Sequence, residues 1–359
     1  MKKLLLISLV LFISGLSISA QEQILIGNKY SIQSAVLKEK RDYWVYLPPR
    51  YDNANYAPTA YPVIYLLDGD TNFNTAVAIQ QTYTRGMYNN MPECIIVGIP
   101  NTDRARDLTP SQSEFLHNGK PLFKNSGNAE NFTQFLTREL RHQIESTYRT
   151  NGYNILIGHS FGGLFTVNTL IHHTNSFNAY IALDPSLWWD KRKVYHEAEV
   201  AWQKEDLRKR FLFIAMAKNE DKPNDEQLHS TTIDMFCKQV LLSNPSNGLI
   251  AGWKYYANED HGTVILPGIY DALRTLFDGI QLPVKEIPNQ PELIEQHYSR
   301  LSEKLGFTFT PEEYLVDNIA KYALSIDNKK GARQLFEYNL KLHPSSAHAQ
   351  QRLQSVTDK

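Results

Sequence analysis

The chain has 359 residues, with 37 basic and 38 acidic side chains and a formal net charge of −1. This balance provides no field that would recruit nucleic acid or an anionic membrane surface, so we expect neither as a partner. The length suits one large domain with a smaller appendage. Only two cysteines occur, Cys94 in an apolar run and Cys237 in a helix-like stretch, which favours two buried thiols over a disulfide.

The first twenty residues have the pattern of a secretory signal peptide. Two lysines after Met1 precede an apolar run that ends near Leu16, and small or polar residues lead to Ala20. The run is too short to span a bilayer, and no cysteine near the cut offers a lipid anchor. We therefore expect residues 1–20 to be cleaved near Ala20, leaving a periplasmic or secreted protein without a membrane anchor. The alternative is a retained membrane anchor.

Residues 21–280 alternate between predicted strands and helices. The predicted strands lie at 43–47, 63–67, 94–99, 155–157, 177–183, 211–217 and 253–257. Apolar residues also recur on one helical face between Asn131 and Tyr148, which predicts a crossover helix before the fourth of these strands. This alternation predicts an α/β fold with a mostly parallel, doubly wound sheet. In such sheets the site lies beyond the carboxyl ends of the strands.

One stretch combines a strand, a tight turn and a helix around a serine. An apolar run ends in the Gly-x-Ser-x-Gly pattern from Gly158 to Gly162, and an amphipathic stretch follows. The two glycines permit a strained turn that would expose the hydroxyl of Ser160 at the N-terminus of a helix. The pattern therefore indicates a nucleophile. The alternative is a glycine-rich turn with an inert serine.

Two loops after other strands supply further candidates. The loop containing Asp70 lies where folds with this elbow place a second oxyanion donor, so we expect its backbone N–H to act with that of Phe161, with Gly69 allowing close approach. The alternative is an Asp-Gly turn without a ligand role. His261 follows the last strand, in the chain order expected of a catalytic histidine. Its alternative is an exposed loop histidine.

Several segments of the chain resemble the esterases related to enterochelin esterases, within the α/β-hydrolase superfamily. The matching segments are residues 65–69, 97–101, 104–110, 158–164, 185–189 and 259–262. They run in order over residues 40–275. The resemblance implies an α/β-hydrolase fold and serine-dependent hydrolysis of carboxylic esters of a siderophore, a feruloyl group or an acetyl group. One departure is Asp184, where many members carry serine before the Pro-Ser-Leu-Trp-Trp segment.

The acid that completes a triad is predicted as Glu220. It follows the strand that precedes the histidine strand, and related mycolyltransferases use a glutamate after an asparagine in the corresponding loop. Asp184 leaves the strand before that one, and the serine found there in relatives argues that its carboxylate is dispensable. Asp221 and Asp225 are the remaining alternatives.

The residues that follow other strands predict a rim for the substrate. The rim residues are Arg104, Arg106, Trp188 and Trp189. Guanidinium and indole groups together suit a planar aryl or catecholate ester. The alternatives are that Arg106 only pairs with a carboxylate such as Asp107, and that Trp188 is part of the core.

No residue pattern indicates a metal or a cofactor. His172 and His173 lack a cysteine or carboxylate at ligand spacing, so we expect them at the surface. The predicted chemistry needs no cofactor, because a serine–histidine pair with an acid forms and hydrolyses an acyl-enzyme. The predicted function is thus a serine esterase using Ser160, Glu220 and His261. The alternative, from another class, is a hydrolase fold kept as a non-catalytic module that binds a chelator or glycan.

Residues 281–359 differ in character from the rest. Three prolines punctuate a linker, and helices are predicted at 293–305, 314–324 and 332–342. Ala332, Phe336 and Pro344 match part of a tetratricopeptide repeat. Because one degenerate repeat cannot bury its own apolar face, we expect this extension to pack on the hydrolase domain. A peptide-binding module that recruits a protein partner is the alternative.

Overall fold

The computed structural model describes residues 24–357 except 113, 115, 118–119, 219–227 and 244–246. The predicted signal peptide, Glu220, Asp221 and Asp225 therefore lie outside the described residues. Within the described part, no helix has the length and apolar character needed to cross a membrane.

Ten strands occur among the described residues. They are β1 (Asn28–Ser34), β2 (Glu39–Tyr46), β3 (Tyr61–Leu67), β4 (Ile95–Ile99), β5 (Leu116–His117), β6 (Lys120–Pro121), β7 (Thr150–His159), β8 (Ala179–Leu183), β9 (Phe211–Ala217) and β10 (Ile250–Tyr256). Eight of them form one sheet in the order β1-β2-β4-β3-β7-β8-β9-β10, and β5 pairs with β6. The pairs β1–β2 and β2–β4 are antiparallel, and all other neighbours in the large sheet are parallel.

Helices connect the parallel strands and form the end of the chain. They are α1 (Gly69–Tyr83), α2 (Arg104–Leu108), α3 (Ala129–Gln134), α4 (Arg141–Thr147), α5 (Phe161–His172), α6 (Trp189–Ala201), α7 (His229–Met235), α8 (Ile265–Leu276), α9 (Leu293–Leu305), α10 (Glu313–Ser325), α11 (Lys329–Leu342) and α12 (Ala347–Thr357). A π-helical segment, Phe135–Leu140, joins α3 to α4, and another, Phe236–Leu241, follows α7. The mostly parallel α/β sheet and the crossover helix predicted from the sequence are confirmed.

Apolar side chains cover both faces of the sheet. Every residue of β3, β4 and β9 is buried. In β7, Leu156 belongs to the cluster on one face, whereas Ile155 and Ile157 belong to the cluster on the other. Continuous apolar runs are needed where both faces are covered, which is why these strands could be recognised from the sequence. Cys94 and Cys237 are both buried and unbridged, as predicted.

The first of the C-terminal helices packs against the α/β part of the chain. Leu301 and Leu305 of α9 lie in the same apolar cluster as Phe213 of β9. Polar contacts add to this, because Glu313 accepts a hydrogen bond of 2.6 Å from the backbone N–H of Ala57. Helix α9 thus packs on the sheet, whereas the apolar residues of α10 and α11 form a separate cluster with each other. The domain boundary near residue 280 and the repeat assignment stay predictions.

We expect Leu305→Ala to lower the free energy of unfolding by about 2–4 kcal/mol, because a leucine that is 1% exposed leaves a cavity when truncated. The matched control is Leu324→Ala in α10, where the side chain is 38% exposed and a change within about 0.5 kcal/mol is expected. Urea unfolding followed by circular dichroism measures both. Equal losses in the two variants would contradict the packing of α9 on the sheet.

Candidate active site

The serine motif forms a sharp turn between β7 and α5. Ser160 has φ 60° and ψ −115°, a backbone conformation that costs free energy for a residue with a Cβ. A Cβ at Gly158 would overlap the carbonyl oxygen of Gly162, so only glycine permits this crossing. The N–H of Ser160 also donates to the carbonyl of Leu183 at 3.0 Å, which ties the turn to β8. The predicted strand–turn–helix context is confirmed, and the nucleophilic role of Ser160 stays a prediction.

Both predicted oxyanion donors lie in the first turn of a helix. Phe161 begins α5, and Asp70 is the second residue of α1. N–H groups in a first turn have no partner within their own helix and carry the positive end of its dipole. A Cβ at Gly69 would lie 2.6 Å from the backbone nitrogen of Ile99, which supports the expectation that Gly69 allows close approach.

Arg104 joins the loop that carries Asp70 to the strand that carries the serine. Its Nε donates to Oδ1 of Asp68 at 2.6 Å, and its Nη2 donates to Oδ2 of Asp68 at 3.0 Å. The same Nη2 donates to the carbonyl of His159 at 2.9 Å. Asp68 is held in the left-handed region at φ 53°, and Asn101 also donates to it at 2.7 Å. Arg104 therefore helps to hold the loop after β3 beside the end of β7, because it binds both Asp68 and the carbonyl of His159.

His261 is held by a carboxylate at the end of β8. Its Nδ1 lies 2.6 Å from Oδ2 of Asp184. Asp184 is completely buried, and its Oδ1 accepts the backbone N–H of Ala217 at 2.8 Å. Because Nδ1 donates to the carboxylate, the basic nitrogen of a neutral His261 is Nε2. Glu220, the acid predicted from the sequence, lies outside the described residues, so its geometry relative to His261 is untested.

The surroundings of Asp184 favour its ionised form. Burial acts to raise the pKa of this carboxyl group, but hydrogen bonds from His229, His261 and Ala217 outweigh burial and hold the pKa well below its ordinary value. A carboxylate that stays ionised can orient an imidazole and stabilise the imidazolium that forms during proton transfer.

Two further histidines enclose the ring of His261. The ring of His159 lies 4.5 Å from it, and that of His229 lies 5.1 Å from it, centroid to centroid. The Nε2 of His159 lies 2.6 Å from the carbonyl oxygen of His261 and must donate to it. Burial, followed by the neighbouring His261, lowers the pKa of His159 to about 4. His159 is therefore neutral near pH 7 and supports the histidine loop as a donor.

Asp184, His229 and His261 each offer one atom that could ligate a metal, and these atoms lie within 4.8 Å of one another. Both imidazoles stand at hydrogen-bond distance from Oδ2 of Asp184, at 2.6 and 2.9 Å. Protons on the two nitrogens account for these separations, and a metal would have to replace both. The absence of a metal in the chemistry stays a prediction.

The remaining predicted rim residues have partners in the protein. Arg106 donates to both carboxylate oxygens of Glu39, and its Nε donates to Asp107 at 2.7 Å. The pairing that the sequence left open as an alternative is thus present. Trp189 is fully buried and its Nε1 lies 3.2 Å from Oγ of Ser111, whereas Trp188 is 9% exposed. A direct role of these side chains in binding substrate stays a prediction.

Sequence reasoning did not identify three side chains that contact this site. Ser186 Oγ lies 3.3 Å from Ser160 Oγ, His159 supports the histidine loop, and His229 contacts Asp184. His159 lies in the segment 158–164 and Ser186 in the segment 185–189, so both could have been proposed as site residues from their positions beside Ser160 and Asp184. His229 has no signal in the sequence, because it stands beyond residues 219–227 with no motif around it.

Comparison with known proteins identifies the family of the chain. Residues 34–227 match the family described as "Putative esterase". The chain is 27% identical to the siderophore enterobactin esterase of Emericella nidulans, over 57% of this chain and 78% of the relative. It is also 27% identical to the ferri-bacillibactin esterase BesA of Bacillus subtilis, over 60% of this chain and 79% of the relative.

Among solved structures, the chain is similar to an IroE-like serine hydrolase from Shewanella oneidensis, with a TM-score of 0.80 and 33% identity. The match covers 88% of this chain and 99% of that one. The family match spans more than half of the chain and includes the serine turn. The chain therefore belongs to this esterase family and is a carboxylic ester hydrolase.

Proposed function

We propose that this protein is a serine esterase in which Ser160 is the nucleophile, His261 the general base and Asp184 the acid that orients His261. The observation that carries the proposal is the 2.6 Å hydrogen bond from His261 Nδ1 to the buried carboxylate of Asp184. That bond leaves Nε2 as the basic nitrogen, and the strained turn at Ser160 presents a hydroxyl at the start of α5.

The proposed reaction has two stages. In the first, Nε2 of His261 takes the proton of Ser160 as its Oγ attacks the ester carbonyl, and the backbone N–H groups of Phe161 and Asp70 receive the oxyanion. His261 then gives its proton to the leaving alcohol, and an acyl-serine remains. In the second stage His261 activates water, which releases the acid and restores Ser160.

The proposal gives Asp184 the role that the sequence assigned to Glu220. Three features support the change: complete burial, two imidazole donors and a pKa held well below its ordinary value. A triad acid must hydrogen-bond to Nδ1 of the histidine, and Asp184, which follows β8, makes that contact. Glu220 remains the competing candidate.

We infer that the substrate is a siderophore with ester bonds. The similar proteins named as siderophore esterases support this class. Trp188 gives no separate support, because its indole is buried in the core beside Phe161. Feruloyl and acetyl esters of plant polysaccharide are the competing substrates. From the signal-peptide pattern of residues 1–20 we infer that the activity lies in the periplasm or outside the cell. The mass of the mature chain tests this inference.

The first prediction from the proposed function concerns Ser160. We expect Ser160→Ala to lower kcat by at least about 10³-fold, because alanine fits the turn but lacks the nucleophile. Hydrolysis of p-nitrophenyl acetate measures this, with the exposed Ser146→Ala as the matched control. In the wild type, kcat/KM should fall in acid, since a general base must be neutral to accept a proton. Retention of a tenth of the wild-type rate by Ser160→Ala would favour the non-catalytic binding module.

The second prediction separates the two candidate acids. Asp184→Asn should lower kcat by about 10³- to 10⁴-fold, because the amide no longer stabilises the imidazolium. Glu220→Gln should change kcat less than about threefold. Circular dichroism checks that each variant is folded. A large loss in Glu220→Gln together with a small loss in Asp184→Asn would return the acid to Glu220.

The third prediction concerns the substrate. We expect kcat/KM for a catecholate trilactone to exceed that for feruloyl and acetylated xylan esters by at least about tenfold. Product release followed by chromatography measures each rate, with Ser160→Ala as the background. With the metal-free trilactone, EDTA should leave the rate unchanged, because no step of the proposed reaction uses a metal. A preference for either polysaccharide ester would overturn the substrate class.

A further inference from the structure

The carboxylate of Asp184 has one more imidazole partner than a triad requires. Its Oδ1 accepts the N–H of Ala217, and its Oδ2 accepts Nδ1 of His261 at 2.6 Å and Nε2 of His229 at 2.9 Å. In the Ser-His-Asp template the acid serves one imidazole. Here two imidazoles share the same oxygen, and the carboxylate is fully buried.

His229 is fixed in place by the start of a helix. It is the first residue of α7, and its side chain is only 15% exposed. Its ring meets that of His261 nearly at right angles, at an interplanar angle of 85°. The same side chain therefore contacts both the proposed acid and the proposed base.

Other ionisable groups of the described residues also face His261. His159 lies on its other side and is neutral near pH 7, because burial lowers its pKa to about 4. Behind His159 lie Arg104 and Asp68, which pair with each other. Asp260 adjoins His261 in the same loop and accepts the backbone N–H groups of Gly262 and Thr263. His229 differs from all of these because it donates to the oxygen that His261 uses.

We propose that His229 is a positioning residue for the esterase reaction, which fixes Oδ2 of Asp184 and shares its negative charge with His261. The inference rests on the proposed function. A second donor draws charge from Oδ2, so less remains to stabilise the imidazolium form of His261. Loss of the second donor should therefore leave Oδ2 with more charge to oppose the imidazolium form of His261.

The main test compares donor and non-donor replacements of His229. His229→Phe keeps a ring against His261 but lacks the donor, and His229→Leu is a second non-donor. His229→Gln places an amide N–H near the position of Nε2. The surface change His172→Leu is the matched control, because that side chain is 44% exposed.

We expect the acidic limb of kcat/KM for p-nitrophenyl acetate to move up by about 0.5–1 pH unit in the Phe and Leu variants. Their kcat at the pH optimum should fall about tenfold with KM little changed, because the carboxylate is less well oriented. The Gln variant and the control should keep the wild-type limb. A purely structural role would lower kcat without moving the limb, so coincident limbs in active non-donor variants would overturn the inference.

A second measurement does not depend on activity. In protein labelled with ¹⁵N-histidine, NMR titration should give a higher midpoint for His261 in either non-donor variant than in the wild type or the Gln variant. The same spectra should show His229 of the wild type with its proton on Nε2. A proton on Nδ1 alone would overturn the inference, whether or not any variant folds. Absence of Ser160-dependent hydrolysis in the wild type would instead overturn the proposed function, and the NMR result would still decide the role of His229.

Discussion

The site depends on the buried carboxylate of Asp184. This residue follows the last residue of β8; its N–H donates to the carbonyl of Ala215 and its Oδ1 accepts the N–H of Ala217, so it continues the pairing with β9 beyond the strand. Its other oxygen faces the histidine loop. Burying a charge is unfavourable unless hydrogen bonds compensate it, and here one backbone and two imidazole donors do so. The same bonds that make the charge tolerable connect the sheet to His261.

A second constraint is the close approach of three backbone segments at the top of the sheet. The serine turn requires Gly158 opposite Gly162, and the start of α1 requires Gly69 against β4. Arg104 bridges these segments, because it binds the side chain of Asp68 and the carbonyl of His159. Backbone strain at Ser160 is thus supported by charge-assisted hydrogen bonds at a distance from the hydroxyl itself. As a result, the N-termini of α1 and α5 are held side by side at the site.

The fold was predictable because its signals are local. Runs such as 63–67 and 211–217 must be apolar throughout to lie between two layers of helices, and the glycines around Ser160 report a turn within a few residues. The partner of a charged side chain, in contrast, is decided by which distant segments meet in the fold, and a local sequence pattern does not reveal this. Arg106 and Glu39 are far apart in the chain, yet they pair. His229 contacts Asp184 although the two residues are 45 positions apart in the sequence, and no motif around His229 predicts this contact.

The expectation about position 184 illustrates how a family pattern can describe a structural role without describing a chemical one. A serine there could still accept the N–H of Ala217, so the backbone role at the end of β8 survives without a carboxylate. Only a carboxylate, however, can hold both His229 and His261 as an acceptor and oppose the charge of an imidazolium. The serine found here in relatives therefore shows only that the structural role does not need a carboxylate. It says nothing about whether the electrostatic role needs one. Under the proposed function the two roles fall on one residue, and the pair of imidazoles on Oδ2 distinguishes it from a simple strand end.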